Sequence, residues 1–108
     1  MRLEEYIKNN GIESMAVYGM NDSGKCWYRY LEKFTELKHV FGIEKYNYTI
    51  ENDYEKHMLY EDELPHADAI LVIPWKEFDF VKWELYSFVS DNCLYLTTQD
   101  LEEELTEV

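Results

Sequence analysis

Two short apolar runs constrain the fold of this chain more than any other feature. "SMAVYG" covers residues 14–19, and "ADAILVIPW" covers residues 67–75, where Ala69 to Ile73 carry no polar side chain. A short run of this kind predicts a strand that is covered on both faces, as strands of parallel sheets are. The first run ends at a glycine, and the second ends at Pro74, which lacks the N–H that a sheet ladder needs. The sequence therefore predicts buried strands of an α/β fold.

Helices and further strands are predicted around these runs. A first helix is expected to stop at Asn9-Asn10-Gly11, and a second is expected over about Ser23 to Lys38. "GIEKYNYTIEN" (42–52) alternates in polarity and predicts the second strand, while "HMLY" (57–60) and "CLYL" (93–96) predict two short ones. Thr97-x-x-Asp100 is expected to open a final acidic helix. A third helix is marked by apolar residues at helical spacing: Phe78, Val81, Leu85, Phe88 and Val89.

The alternation of strands and helices predicts parallel strands joined by right-handed crossovers. We expect one domain over residues 1–108, a small doubly wound sheet of about five strands in the order 3-2-1-4-5, with helices on both faces. Ligands of such sheets bind at the carboxyl ends of the strands, where the strand order reverses. The loops Gly19 to Gly24 and Ile73 to Trp75 are therefore expected to flank any site.

The loop "GMNDSGKC" (19–26) admits two ligand-binding interpretations, of which the first is a phosphate loop. Gly19, Gly24 and Lys25 fit G-x-x-x-x-G-K-[ST], but Cys26 stands where a hydroxyl should bind magnesium. The strand at 69–73 also lacks an acid at its carboxyl end. Nucleoside triphosphate hydrolysis is therefore disfavoured.

The dinucleotide pattern G-x-G-x-x-G fits better, with Gly19 first, Gly24 last and Asn21 at the middle position. Asparagine tolerates left-handed backbone angles, yet it adds atoms where phosphates would lie, and Asp22 adds a negative charge. The N–H groups of Ser23 and Gly24 are the expected anion donors at the helix N-terminus. Both glycines would also suit a strand-to-helix turn that binds nothing. A ligand cradle and a structural turn remain alternatives.

An acidic residue at the end of the second strand is expected to hold a ribose in such a site. Glu51, followed by Asn52 and Asp53, is the candidate. It lies farther from the glycine loop than the usual interval of about 20 residues. An ordinary surface glutamate is the alternative, because the chain has 23 acidic residues.

Four segments together resemble a family of small Rossmann-like domains: "IESMAVYGMNDSGKCWYRYLE", "YNYTIEND", "ELPHADAILVIPWKEFDFVKWEL" and "LYLTTQDLEEEL". Members look like short NAD(P)-binding or nucleoside-diphosphate-sugar epimerase domains of bacterial polysaccharide-biosynthesis and glycosyltransferase-associated proteins. The resemblance extends from Leu3 to Leu105. It implies the fold, a nucleotide or nucleotide-sugar ligand or an NAD(P) cofactor, and a place beside a larger glycosyltransferase-type protein. It carries over Gly19, Asn21, Gly24 and Glu51.

Charge and composition limit the partners. The formal net charge is −13, with 10 basic residues against 23 acidic ones, so nucleic acid and anionic membrane surfaces are disfavoured. No apolar run approaches the roughly 18 residues of a membrane span, and "MRLEEYIKNNG" has no signal-peptide core. Two cysteines, Cys26 and Cys93, make no disulfide framework. We therefore expect a cytoplasmic protein.

Catalytic motifs are missing from the sequence. None of the ten tyrosines has a lysine four residues later, as the epimerases of this fold require, and the three histidines are scattered. We therefore expect an accessory nucleotide-binding domain without catalysis of its own. The alternative is an interaction domain, including a homodimer, with a degenerate loop; an enzyme in its own right is the third. Trp75 and Phe80 would serve either a base-stacking surface or, as we favour, a protein contact.

Overall fold

The computed structural model describes residues 1–45 and 54–102. In this part of the chain β1, β4 and β5 are each followed by a helix or a helical turn. The helices are α1 (Leu3–Asn9), α2 (Asp22–Phe34) and α3 (Phe78–Leu85). The strands are β1 (Ser14–Tyr18), β2 (His39–Glu44), β3 (Lys56–Met58), β4 (Ala69–Val72) and β5 (Leu94–Thr97).

The five strands form one parallel sheet in the order β3-β2-β1-β4-β5. β1 lies at its centre, where Val17 pairs with Gly42 of β2 on one side and with Leu71 of β4 on the other. The predicted α/β class and strand order are thus confirmed. Because all strands run the same way, their carboxyl ends lie along a single edge of the sheet.

Both faces of the sheet are covered, which explains the uninterrupted apolar runs. Alternate residues of a strand point to opposite faces, so Met15 and Val17 pack on one face and Ala16 and Tyr18 on the other. The first face is covered by α1 and α2, with Leu31 fully buried. The second face is covered by α3. The side chains that α3 buries in this second cluster are Val81 and Leu85.

Helix α2 ends at Phe34, four residues before the predicted end at Lys38. The cap residue Thr35 is extended (φ −129°, ψ 165°), and its hydroxyl donates to the Leu31 carbonyl oxygen. Threonine hydroxyls that bond to the backbone compete with helix continuation. The shorter helix leaves His39 free to begin the next strand.

The placement of the second strand at 42–52 is wrong at its start. β2 begins at His39 and ends at Glu44, and residues 46–53, with Glu51, lie outside the described residues. The physical reason is burial on both faces: Val40 packs on the α2 side and Phe41 on the α3 side. An interior parallel strand shows no alternation of polarity, so alternation could not mark the start of β2.

The predicted final helix is only a short 3-10 turn, Thr98–Asp100, within the described chain. Asp100 Oδ2 accepts from the Thr97 N–H at 2.8 Å and completes the predicted capping box, but Leu101 is extended (φ −103°, ψ 145°). α3 likewise ends before Phe88 and Val89. The helices of residues 1–45 and 54–102 are all too short or too polar to cross a membrane.

Candidate functional site

A cavity of about 640 Å³ lies at the carboxyl edge of the sheet. The ends of β1 and β2, the turn between β1 and α2, and one side of α3 form its walls. Its size is within the range of small-molecule sites. The residues that line it are Tyr18, Gly19, Met20, Asn21, Asp22, Lys25, Glu44, Lys45, Glu77, Phe80, Val81 and Glu84.

The turn between β1 and α2 is built around its two glycines. Gly19 has a φ of +96°, which side-chain-bearing residues rarely adopt. A Cβ at Gly24 would lie 1.9 Å from the Gly19 carbonyl oxygen, so only glycine fits there. Asn21 caps α2, because its Oδ1 accepts from the Gly24 N–H at 2.9 Å. Folding alone therefore accounts for Gly19, Asn21 and Gly24.

The crevice expected between β1 and β4 is closed. A Cβ at Gly19 would meet Pro74 Cδ at 3.2 Å and Ile73 Cβ at 3.5 Å, so the two loops pack directly on each other. The Ile73 N–H also donates to the Tyr18 carbonyl oxygen at 3.1 Å. Ile73 to Trp75, predicted to flank the site, pack beside Gly19 but do not line this cavity.

Glu44, the last residue of β2, is the most informative side chain in the cavity wall. It is only 8% exposed, and its Oε2 has no hydrogen-bond partner among the described residues. Its carboxylate accepts a hydrogen bond from the backbone N–H of Met20. Burial raises the pKa of Glu44, while Lys56 and Lys25 act in the opposite direction. A buried acceptor without a donor is uncommon and calls for an explanation.

A second buried carboxylate, Glu84 of α3, is fully engaged. It accepts from Lys45 Nζ at 3.0 Å and from the hydroxyls of Tyr60 at 2.9 Å and Tyr18 at 3.4 Å. Burial opposes ionisation, but the hydrogen bonds from Lys45 and Tyr60 prevail and lower the pKa of Glu84. Burial, together with the charge of Glu84, raises the pKa of Tyr18 to about 12. Tyr18 therefore stays protonated at neutral pH and is poorly suited to act as a base there. The hydrogen bonds of this cluster connect α3 to the end of β2.

The predicted site residues separate into three groups. Gly19 and Asn21 line the cavity, Ser23 and Gly24 are absent from its wall, and Glu51 lies outside the described residues. Glu44 was missed, because the second strand was placed too late. Two sequence signals could have found it. It directly follows the apolar run "VFGI", and it stands 20 residues after Gly24 (44 − 24), the interval expected for a ribose-binding acid.

The aromatic residues near the end of β4 have different positions. Phe80 lines the cavity with 55% of its surface exposed, and Lys45 Nζ lies 5.7 Å from its ring centroid. Trp83, on the same face of α3, is 74% exposed, and its ring lies 6.0 Å from that of Phe80. Trp75 is also exposed but does not line the cavity. Phe80 is therefore placed to contact a ligand.

The histidines are engaged with carboxylates. Nε2 of His39 and of His57 lie 2.8 and 3.0 Å from Glu55 Oε2, and His66 Nε2 lies 2.8 Å from Asp68 Oδ1. Burial raises the pKa of Glu55, but the hydrogen bonds to both imidazoles outweigh it and lower the pKa overall. Within residues 1–45 and 54–102, no group of three such ligands could hold a metal ion.

The chain was compared with models of protein families, with curated proteins and with solved structures, and none of them matched.

Proposed function

We propose that this protein is an accessory domain that binds a nucleotide or a nucleotide-sugar in the cavity, without catalysis of its own. Glu44 carries the proposal. It ends β2, follows the glycine turn at the interval expected for a ribose-binding acid and lines the cavity, and one of its carboxylate oxygens has no partner in the described part of the chain. A ribose hydroxyl would donate to that oxygen. The association with polysaccharide biosynthesis rests on the sequence resemblance.

The test is a thermal-shift screen with NAD, NADP, ATP and UDP- and CDP-sugars at millimolar concentration. Binding to the native state raises the free energy of unfolding by mass action, by about 2.7 kcal/mol at a ligand concentration of 100 Kd. The unfolding midpoint rises with it. Glu44→Gln should reduce the shift. Glu63→Gln, an exposed residue outside the cavity wall, is the charge-matched control and should retain it. If none of these ligands raises the unfolding midpoint of the wild-type protein, the proposal is contradicted.

A second candidate function is protein interaction, and the outer face of α3 favours it. Phe80, Trp83 and Tyr86 follow each other at helical spacing and are 55, 74 and 67% exposed. A contiguous aromatic stripe of this kind is typical of interaction surfaces. Light scattering coupled to size exclusion would test it: a homodimer that Trp83→Lys converts to a monomer supports this candidate, and a monomeric wild type contradicts self-association.

A further inference from the structure

We propose that the cavity accepts a nucleoside or a nucleoside monophosphate and rejects ligands that carry a pyrophosphate. This inference rests on the proposed function and narrows it, since it names the part of a nucleotide that the cavity recognises. Three observations carry it: the state of the N–H groups in the turn, the closed crevice, and the charge of the cavity wall.

Three backbone donors at the turn are already engaged. The Gly24 N–H donates to Asn21 Oδ1 at 2.9 Å, and the Lys25 N–H donates to the Asn21 carbonyl oxygen at 2.9 Å. The Gly19 N–H donates to the Ile43 carbonyl oxygen at 3.0 Å. A phosphate bound at this turn would have to displace the helix cap, which itself stabilises α2.

The part of the crevice beside β4 is also closed. In open parallel sheets a diphosphate lies against the first turn, in the crevice where the strand order reverses. Here Ile73 and Pro74 pack so closely on Gly19 that even an added Cβ would approach Pro74 to 3.2 Å. The open volume lies between the glycine turn, the end of β2 and α3, where a ribose would contact Glu44.

The charge of the wall opposes a polyanion. Its ionisable groups are four carboxyls and two lysines, a formal −2: Asp22, Glu44, Glu77, Glu84, Lys25 and Lys45. The Lys45 ammonium already lies 3.0 Å from the Glu84 carboxylate, and this reduces its electrostatic attraction for a phosphate. With the net charge of −13 added, the field at the cavity favours a ligand of low negative charge.

The wall provides what a nucleoside needs. Glu44 Oε2 is an acceptor without a described partner, and rotation about the soft terminal torsion of its side chain would turn it toward a ribose hydroxyl. The exposed ring of Phe80 offers a face on which a base can stack. Lys25 and Lys45 supply the positive charge in the wall that a single phosphate would meet.

Isothermal titration calorimetry of the whole chain with adenosine, AMP, ADP and NAD, and with uridine, UMP and UDP, tests the inference. We expect the nucleoside and its monophosphate to bind with affinities within about threefold of each other, and the diphosphate and NAD at least about tenfold more weakly. Glu44→Gln should weaken nucleoside binding about tenfold, because a hydrogen bond to a charged acceptor is lost. Asp22→Asn should improve diphosphate binding by a larger factor than nucleoside binding, because it removes one negative charge from the cavity wall.

The outcomes separate the two proposals. A diphosphate that binds more tightly than its nucleoside overturns the selectivity and leaves nucleotide binding standing. An Asp22→Asn variant that changes the affinity for nucleoside and diphosphate equally also overturns it. If none of the seven ligands binds, the proposed function fails, and the inference fails with it.

Discussion

Replacing Gly24 with alanine changes the free energy of unfolding in two opposite ways, through helix propensity and through steric overlap. Gly24 lies in the first turn of α2, where alanine would be favoured by about 1 kcal/mol on helix propensity alone. In the structure, however, the new Cβ would lie 1.9 Å from the Gly19 carbonyl oxygen and 2.9 Å from its carbonyl carbon. Both obstacles are backbone atoms, so no side-chain rotation relieves the overlap.

The cost follows from the distance. To bring the Cβ from 1.9 to 3.0 Å, the turn and the helix must separate by about 1 Å. Overpacking of this kind costs about 1–3 kcal/mol, and the same movement strains the hydrogen bond from the Gly24 N–H to Asn21, a cap worth about 1 kcal/mol. After the propensity gain, a net loss of about 2 kcal/mol remains, which lowers the Tm by about 10 °C in a domain of this size.

Urea and thermal unfolding of the ligand-free protein, followed by circular dichroism, measure this loss. Gly11→Ala is the control, because Gly11 also has a positive φ of +61° but no atom within 4 Å of the added Cβ. It should lose only the left-handed strain of about 1 kcal/mol. A Gly24→Ala variant as stable as the wild type would refute the close packing of the turn. The expected loss would show that Gly24 serves the fold whether or not a ligand binds.

Three further predictions concern single side chains. Burial raises the pKa of Glu44, so the folded protein holds this proton more tightly than the unfolded chain does. The stability that this provides is lost as pH rises from the ordinary glutamate pKa through the raised pKa. Over that window Glu44→Gln should gain stability relative to the wild type, and a difference in Tm that stays constant would contradict this. Burial raises the pKa of Cys93 to about 11, so iodoacetamide at pH 8 should alkylate Cys26 first, and equal rates would count against it. Asp100→Ala should cost about 1 kcal/mol in urea unfolding, while Asp100→Asn keeps an acceptor for the Thr97 N–H and should cost less.

The sheet could be predicted because its signals are local. The run from Met15 to Tyr18 and the run from Ala69 to Val72 contain enough apolar residues to require cover on both faces, and a glycine or proline follows each. Helix spacing between them then leaves few topologies. The capping box of Thr97 and Asp100 was predicted for the same reason, although it closes a single 3-10 turn rather than a helix.

The candidate acid depended on where the second strand ends. The strand was expected to run to residue 52 and β2 ends at Glu44, so the acid at the strand end is Glu44, seven positions before the predicted Glu51 (51 − 44). Sequence periodicity could not correct this, since β2 is buried on both faces and shows no alternation. The boundary is set by pairing with β1 from Ser14–His39 to Tyr18–Ile43, which are contacts between residues about 25 positions apart.

The sequence by itself determined the α/β class, the parallel sheet and the position of the glycine turn, because residues close in the chain specify each of these. Tertiary structure alone decided which side of that turn is open. Pro74 lies 55 residues from Gly19 (74 − 19) and closes the crevice beside it. The packing of β2 between two layers of helices buries Glu44, whose Oε2 has no hydrogen-bond partner within residues 1–45 and 54–102. Closure and burial arise from contacts between distant segments, and no local pattern of residues records them.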